Sequence, residues 1–279
     1  EETGWDGRWL ADHFMQNAED TSAPWPEAWV TLSALATSIP RIRLGTLVTG
    51  NTYRHPAVLA KMAATLDHIS AGRVVLGIGS GWQENEHEKY GLPFYDVAER
   101  LKRLDEACYI IQSLFTKDST SFSGDYYQLA DAPLVPKPVQ SPLPLLIGGG
   151  GERVTLKIAA KYANEWNVWG SVETLVHKMK ILDQHCESLD RDPTEIHRTA
   201  VALLFLSEDQ EYLDKIRSQT LAQPAIIGNA SEVRDIIGEY RAAGVDELII
   251  PDFTMGQGNT DKKRDTLDRF LNLAAADFR

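Results

Sequence analysis

Positive charge is in short supply. Across 279 residues, 28 Lys and Arg stand against 40 Asp and Glu, for a formal net charge of -12. A surface of that sign does not release counterions from a phosphate backbone, which argues against DNA or RNA as a partner. An anionic ligand has to be met locally, for instance by backbone N–H groups. Cysteine is scarce: Cys108 and Cys186 both fall on apolar faces of helical patterns, so each reads as a small buried hydrophobe and no disulfide is expected. No apolar run reaches the roughly 18 residues a membrane span needs, and no signal peptide is visible, so no membrane partner is expected and the cytoplasm is the default location. The chain does not open with Met. Glu1-Glu2-Thr3-Gly4 reads as the last turn of a helix closed by a C′ glycine, which implies that something upstream is missing from this sequence.

What the chain does have is alternation. Helical faces are spelled by Trp29, Leu32, Ala36 and Ile39; by Leu59, Met62, Ala63, Leu66 and Ile69; by Val97, Leu101, Leu104, Cys108, Ile111 and Phe115; and by Leu175, Met179, Leu182, Cys186 and Leu189. Pro26 and Pro56 suit first-turn positions. Between the helices lie short β-rich runs at Gly7–Ala11, Ile42–Thr49, Arg73–Gly79, Pro144–Gly148, Glu165–Trp169, Arg198–Leu206 and Asp246–Pro251. Most are continuously apolar, as in a parallel sheet covered on both faces. These seven strands, with one more supplied by an absent leader, make the eight of a (β/α)8 barrel, one α/β domain over residues 1–279. Residues 117–142 break the rhythm after the fourth strand of that count. They hold a hairpin, Thr120–Phe122 and Tyr126–Leu129 around Ser123-Gly124-Asp125, and a proline-rich tail, an insertion suited to a lid or binding loop.

The chemistry gathers where these strands stop. Asp12-His13 ends the first visible strand and reads either as a strand-end salt bridge or helix cap, or as a hydrogen-bonding and proton-transfer pair beside a cofactor. The second strand runs through Leu47, Val48 and Thr49 into Gly50-Asn51-Thr52, either a plain turn or a strand end that approaches a flat ring. The third runs through Gly77 and Gly79 to Ser80, Gly81 and Trp82. It fails the dinucleotide fingerprint because Trp82 stands where Gly or Ala is needed, leaving a close backbone approach with Trp82 as an aromatic wall. Glu84, Glu86, His87 and Glu88 resemble metal ligands by type but read as a solvated acidic first turn, so no metal is expected. Gly148, Gly149, Gly150 and Gly151 between an apolar strand and a helical pattern form the sharpest signal: N–H groups free to face an anion, unless the loop is merely flexible. Trp166, Asn167 and Trp169 add two indoles and an amide at another strand end, where either Trp could be core.

In this order these stretches resemble the bacterial luciferase-like superfamily, and within it the oxidoreductases that use the deazaflavin coenzyme F420. The resemblance is carried by Trp9-Leu10-Ala11-Asp12-His13-Phe14, Leu44 to Thr49, Arg54-His55-Pro56, Gly72 to Trp82, Gly91-Leu92-Pro93-Phe94, Glu99-Arg100-Leu101, Gly124-Asp125-Tyr126-Tyr127, Lys137-Pro138-Val139-Gln140 and the Gly148–Gly151 run. Gly244-Val245-Asp246-Glu247-Leu248 looks like the family's last strand. It implies a barrel whose cofactor lies at the carboxyl ends of the strands, with Asp12 and His13 beside the ring. A bulge at Leu47, Val48 and Thr49 would carry a non-proline cis peptide between Leu47 and Val48. Ser80, Gly81 and Asn85 would line the ring edge, and the glycine run, Gly150 and Gly151 above all, would meet the phosphate of the tail. Sugar-phosphate dehydrogenases of the family carry a glutamate where Trp82 stands, which argues against glucose 6-phosphate as substrate.

The expectation is therefore a cytoplasmic oxidoreductase, by family likeness a homodimer, in which F420 exchanges a hydride with a small organic substrate. His13 would be the polar group nearest the reacting centre and Trp82 would shape the substrate side. The alternatives are an FMN-dependent luciferase-like monooxygenase, a non-catalytic flavin-binding relative and, weakened by the lack of a His/Asp ligand set across the visible strand ends, a metal-dependent barrel hydrolase.

Overall fold

In a computed structural model the protein is described over residues 4–255 and 259–278. The helix turn expected at Glu1, Glu2 and Thr3 lies outside the described residues. The elements are β1 (Gly7–Asp12), α1 (Ala28–Ser38), β2 (Arg43–Gly50), α2 (Pro56–Ile69), β3 (Val74–Gly79), α3 (Glu84–Tyr90), α4 (Val97–Thr116), β4 (Ser119–Ser123) and β5 (Gln128–Pro133). There follow β6 (Leu145–Gly148), α5 (Thr155–Tyr162), β7 (Glu165–Trp169), α6 (Val172–Ser188), β8 (His197–Val201), β9 (Leu203–Leu206), α7 (Gln210–Arg217), β10 (Ala225–Gly228), α8 (Ala230–Ala242), β11 (Glu247–Ile249) and α9 (Thr260–Arg269).

Seven strands form one sheet in the order β1-β2-β3-β6-β7-β8-β11, every pair parallel. They coincide with the seven expected from the sequence. The sheet curls until its two edge strands face each other across the interior, where the Trp9 indole N–H of β1 donates to Glu247 Oε1 of β11 at 3.2 Å. Leu44, Leu76, Leu145 and Ile147 from the strands and Leu32, Leu59, Leu104 and Ile111 from the helices are almost fully buried in the shared core, as expected for continuously apolar strands under a helical layer. Both cysteines are buried and free. Burial raises the thiol pKa of each, as befits a packed hydrophobe.

Two local features depart from expectation, and a third, the hairpin, is as expected with its second strand shifted to Gln128–Pro133. The run Arg198–Leu206 is interrupted at Ala202. Its first half pairs with β11, and its second half swings out to pair with β10, a four-residue strand too short to show a period in the sequence. Pro56 does open α2, with His55 as N-cap, but Pro26 lies outside α1 because Glu27 is the cap and its carboxylate accepts from the Val30 N–H. The hairpin of residues 117–142 is present as the antiparallel pair β4 and β5. Its turn is bound by Glu106 of α4, which accepts N–H bonds from Asp125, Tyr126 and Tyr127. Its proline-rich tail is fastened to α2 through Asp67 and Gln140 and to α4 through Lys137 and the Leu114 carbonyl. It lies as a strap along these helices, with the Tyr127 hydroxyl accepting from Asn51 at the end of β2, 3.2 Å away.

Among the described residues no helix is long and apolar enough to cross a membrane.

Candidate functional site

Strands β1, β2, β3 and β6 all stop on the same edge of the sheet, so their terminal residues share one rim. Asp12 closes β1 with no solvent exposure. Its carboxylate accepts from Arg54 Nη1 at 2.6 Å, Arg54 Nη2 at 3.2 Å, Trp29 Nε1 at 3.1 Å and the Thr49 hydroxyl. Arg54 also reaches Glu27 at 2.8 Å, so one guanidinium ties β1 to the start of α1. Asp12 is thus enclosed by partners that fix the strand end, and Thr49 is one of them. The sequence named both residues, and Arg54 within Arg54-His55-Pro56, but not the bonds by which that arginine joins them.

His13, one residue on, is held differently. Its Nδ1 lies 2.7 Å from Oε1 of Glu86, a residue without solvent exposure. The same carboxylate accepts the Phe14 N–H at 2.8 Å and the Tyr53 hydroxyl. Burial alone would raise the Glu86 pKa. The bonds from His13, Tyr53 and Phe14 outweigh it and leave the carboxyl below its ordinary value, while burial and the bond to Glu86 push the Tyr53 phenol far up. A carboxylate only accepts, so His13 presents a hydrogen on Nδ1 and keeps Nε2 as its open position. The ring meets Trp82 edge-on, with centroids 5.4 Å apart.

The reading of Glu84 to Glu88 as a solvated acidic turn fails for two of its members. Glu84 and Glu88 are exposed, but Glu86 and His87 point inward and are completely buried. His87 is consumed by the Gln83 carbonyl and the Thr52 hydroxyl, each at 2.7 Å. No spacing signals their burial, because two adjacent residues on a seven-residue helix define no face; the inward turn rests on bonds to His13, Phe14, Tyr53 and Thr52. Trp82 is 61% exposed and, with Asn17, Gln83, Glu84, Asn85 and Glu88, lines a cavity of about 410 Å³. Asn85 donates weakly to the Gln16 carbonyl, at 3.5 Å, and its Oδ1 is a buried atom with no hydrogen-bond partner. Ser80 is half-buried at the same rim, and Gly81, whose φ of +81° calls for glycine, receives Arg100 on its carbonyl.

At the end of β2 the Leu47–Val48 peptide is cis and the pairing registers of β2 with β1 and β3 shift around it, as expected. The bulge turns Val48 into the space over three glycines. A Cβ on Gly79 would lie 2.9 Å from Val48 Cγ2, and one on Gly148 would lie 2.8 Å from Val48 Cγ1. Val48 is half-buried, its free side at the rim.

The glycine run leaves β6 at Gly148. Gly149 has φ +122° and its carbonyl takes the Trp166 indole N–H at 2.9 Å, which makes Trp166 a core residue. The run does not enter α5 directly: residues 152–154 form a turn, and α5 begins at Thr155 without a side-chain cap. Among the described residues neither the Gly150 nor the Gly151 N–H is taken by a carbonyl. Lys178 stands beside Gly150 and, with His177, holds Glu152 at 2.5 and 3.1 Å. Free amides and the Lys178 ammonium therefore meet at the turn, where an anion would compete with the Glu152 carboxylate for the lysine. Asn167 of β7 is buried and donates to Thr199 at 2.7 Å.

The sequence profile of the luciferase-like monooxygenases matches residues 1–216. The chain belongs to this family. Over 165 residues, 58% of this chain and 47% of the relative, it is 41% identical to an F420-dependent glucose-6-phosphate dehydrogenase of Amycolatopsis mediterranei. The chain spans about half the length of the curated relatives it matches. Among solved structures, an F420-dependent secondary alcohol dehydrogenase bound to an F420-acetone adduct superposes with a TM-score of 0.84 at 21% identity, over 99% of this chain and 91% of the other. The coenzyme F420-dependent tetrahydromethanopterin reductase of Methanopyrus kandleri gives 0.80 at 20% identity, over 100% and 92%. At those identities the structures establish the fold of this luciferase-like chain: an α/β fold around a curled parallel sheet.

Proposed function

We propose that this luciferase-like protein is an F420-dependent oxidoreductase acting on a small organic substrate. The carrying observation is His13, fixed through Nδ1 by Glu86 with Nε2 left open beside Trp82. The F420-dependent relatives support the cofactor.

The residues present fit that group. Gly150 and Gly151 would hold the phosphate of its tail by N–H groups, Lys178 adding charge. Val48, Ser80, Gly81 and Asn85 would border the ring, Val48 supplying an apolar surface where three glycines make room for it, while Thr49, fully buried against Asp12, braces the strand ends. When bound, the deazaflavin supplies a hydride donor or acceptor. The chain supplies the rest. His13 Nε2 takes the proton from a substrate hydroxyl or returns it to a carbonyl, Glu86 steadies the ring as its charge changes, and Trp82 forms the wall against which the substrate lies. Asp12, enclosed by Arg54, Trp29 and Thr49, contributes by fixing the end of β1.

The finer architecture proposed is the closed (β/α)8 barrel, with residues 117–142 as its insertion. A cytoplasmic homodimer is proposed on family likeness, and gel filtration with light scattering reads the oligomeric state. Titration of apoprotein with F420 and with FMN tests the function. Binding of F420 in the micromolar range, followed by substrate-dependent change of its absorbance, is the expected result. FMN binding with none of F420 would overturn it in favour of the monooxygenase reading, which the family description favours.

A further inference from the structure

A second polar cluster lies at the opposite end of the sheet. Arg43, Glu165, His197 and Glu247 are the first residues of β2, β7, β8 and β11, and they converge inside the curl. Arg43 bonds Oε1 of Glu165 and, at 2.8 Å, Oε2 of Glu247, while the Trp9 indole takes Oε1 of Glu247. Those contacts leave two buried atoms over. Glu165 is 5% exposed, yet its Oε2 has no hydrogen-bond partner, and neither does His197 Nε2, whose nearest carboxylate oxygen, on Glu247, is 3.6 Å away. A buried carboxylate oxygen and a buried imidazole nitrogen, both unsatisfied in one cluster, call for a further partner.

We propose that Glu165, His197 and Glu247 bind a divalent first-row metal ion, distinct from the cofactor site. Their ligand atoms already lie within 4.8 Å of one another. Closing them to the roughly 2.0–2.2 Å bonds of Zn²⁺ to His and carboxylate takes shifts of about 1 Å in the ligand atoms. One imidazole and two carboxylates suit Zn²⁺, Co²⁺ or Mn²⁺. His197 Nε2 is the nitrogen turned toward the cluster, 3.6 Å from Glu247 Oε2, while Nδ1 lies 3.7 Å from Asp246, beyond hydrogen-bond reach. Arg43 keeps its bond to Oε1 of Glu165 and leaves Oε2 to the ion, whereas Oε2 of Glu247, the oxygen nearest His197, would be shared between Arg43 and the ion. Because the ligands open three different strands, the ion would clip the amino ends of β7, β8 and β11 together, a structural role.

The test uses chelator-treated full-length protein titrated with Co²⁺ and Zn²⁺. One Co²⁺ per chain with visible d–d absorption is expected, as is a Tm rise of about 5 °C at a roughly hundred-fold excess of Zn²⁺ over Kd. Both should vanish in His197→Ala and Glu165→Gln and persist in His13→Ala, which disrupts the other His–Glu pair. Should Glu165→Gln not fold, the ring ¹⁵N resonances of His197 in the unmutated chain serve instead, Nε2 moving on Zn²⁺ addition. Absence of binding, or binding indifferent to His197→Ala, would overturn the proposal, and neither outcome bears on F420.

Discussion

His13 Nδ1 and Glu86 Oε1 meet at 2.7 Å, joining the end of β1 to the first turn of α3 across 73 residues of sequence. The carboxylate fixes which nitrogen of His13 carries hydrogen and therefore which one faces the substrate side. Glu86→Gln should break that rule, because the amide can donate as well as accept. We expect ring ¹⁵N shifts to report a mixture of His13 tautomers and turnover to fall about 10- to 100-fold with F420 affinity little changed. A single tautomer and full turnover in this variant would remove Glu86 from the mechanism.

Acid sensitivity follows from the same group. The Glu86 pKa in the folded chain is below its ordinary 4.5, so the unfolded chain binds its proton first as pH falls. Its contribution to stability is complete above that ordinary value and disappears as pH drops through the folded value. Thermal unfolding between about pH 3 and 6 should show a steeper acid limb for the wild type than for Glu86→Gln. Parallel limbs would mean that Glu86 titrates alike in both states.

Arg54 is the keystone of the Asp12 enclosure. Arg54→Met should cost about 3–5 kcal/mol, because it strands a fully buried carboxylate with only Trp29 and Thr49 for company. Adding Asp12→Leu should recover part of that loss, since the penalty comes from the unpaired charge rather than from absent attraction. Urea denaturation of the two variants measures it; a double variant no more stable than Arg54→Met would contradict the account.

The elements that were readable in the sequence are those whose signal is local. The seven sheet strands show as short apolar runs, four of them (β2, β3, β6 and β7) ended by Gly or Ser, and the amide-rich turn shows as four consecutive glycines, because a chain written that way has few other options. What could not be read depends on distant partners. Nothing near Asp12 in sequence announces Arg54, nothing near Glu86 announces His13 or Tyr53, and Arg43 meets Glu247 only because the sheet curls. β10 escaped because four residues carry no period. The burial of Glu86 and His87 was hidden by composition: acidic residues in a first turn ordinarily face water, and only tertiary hydrogen bonds reverse the preference.

Val48 and Gly148 offer the sharpest test of the rim. Gly148 does not have a positive φ, so its backbone tolerates alanine, and the obstacle is the 2.8 Å approach of a new Cβ to Val48 Cγ1. Gly148→Ala should therefore destabilise by about 1–3 kcal/mol through overpacking. Val48→Ala should cost about 1 kcal/mol by removing buried methyl groups. Combined, the two should cost less than their sum by at least about 1 kcal/mol, since the second substitution makes the room that the first requires. The same pair reports on the cofactor: Gly148→Ala pushes Val48 toward the expected ring position and should weaken F420 binding, and Val48→Ala in that background should restore it in part. Additive costs in urea unfolding, or F420 binding untouched in both single variants, would show that Val48 neither packs on Gly148 nor borders the ring.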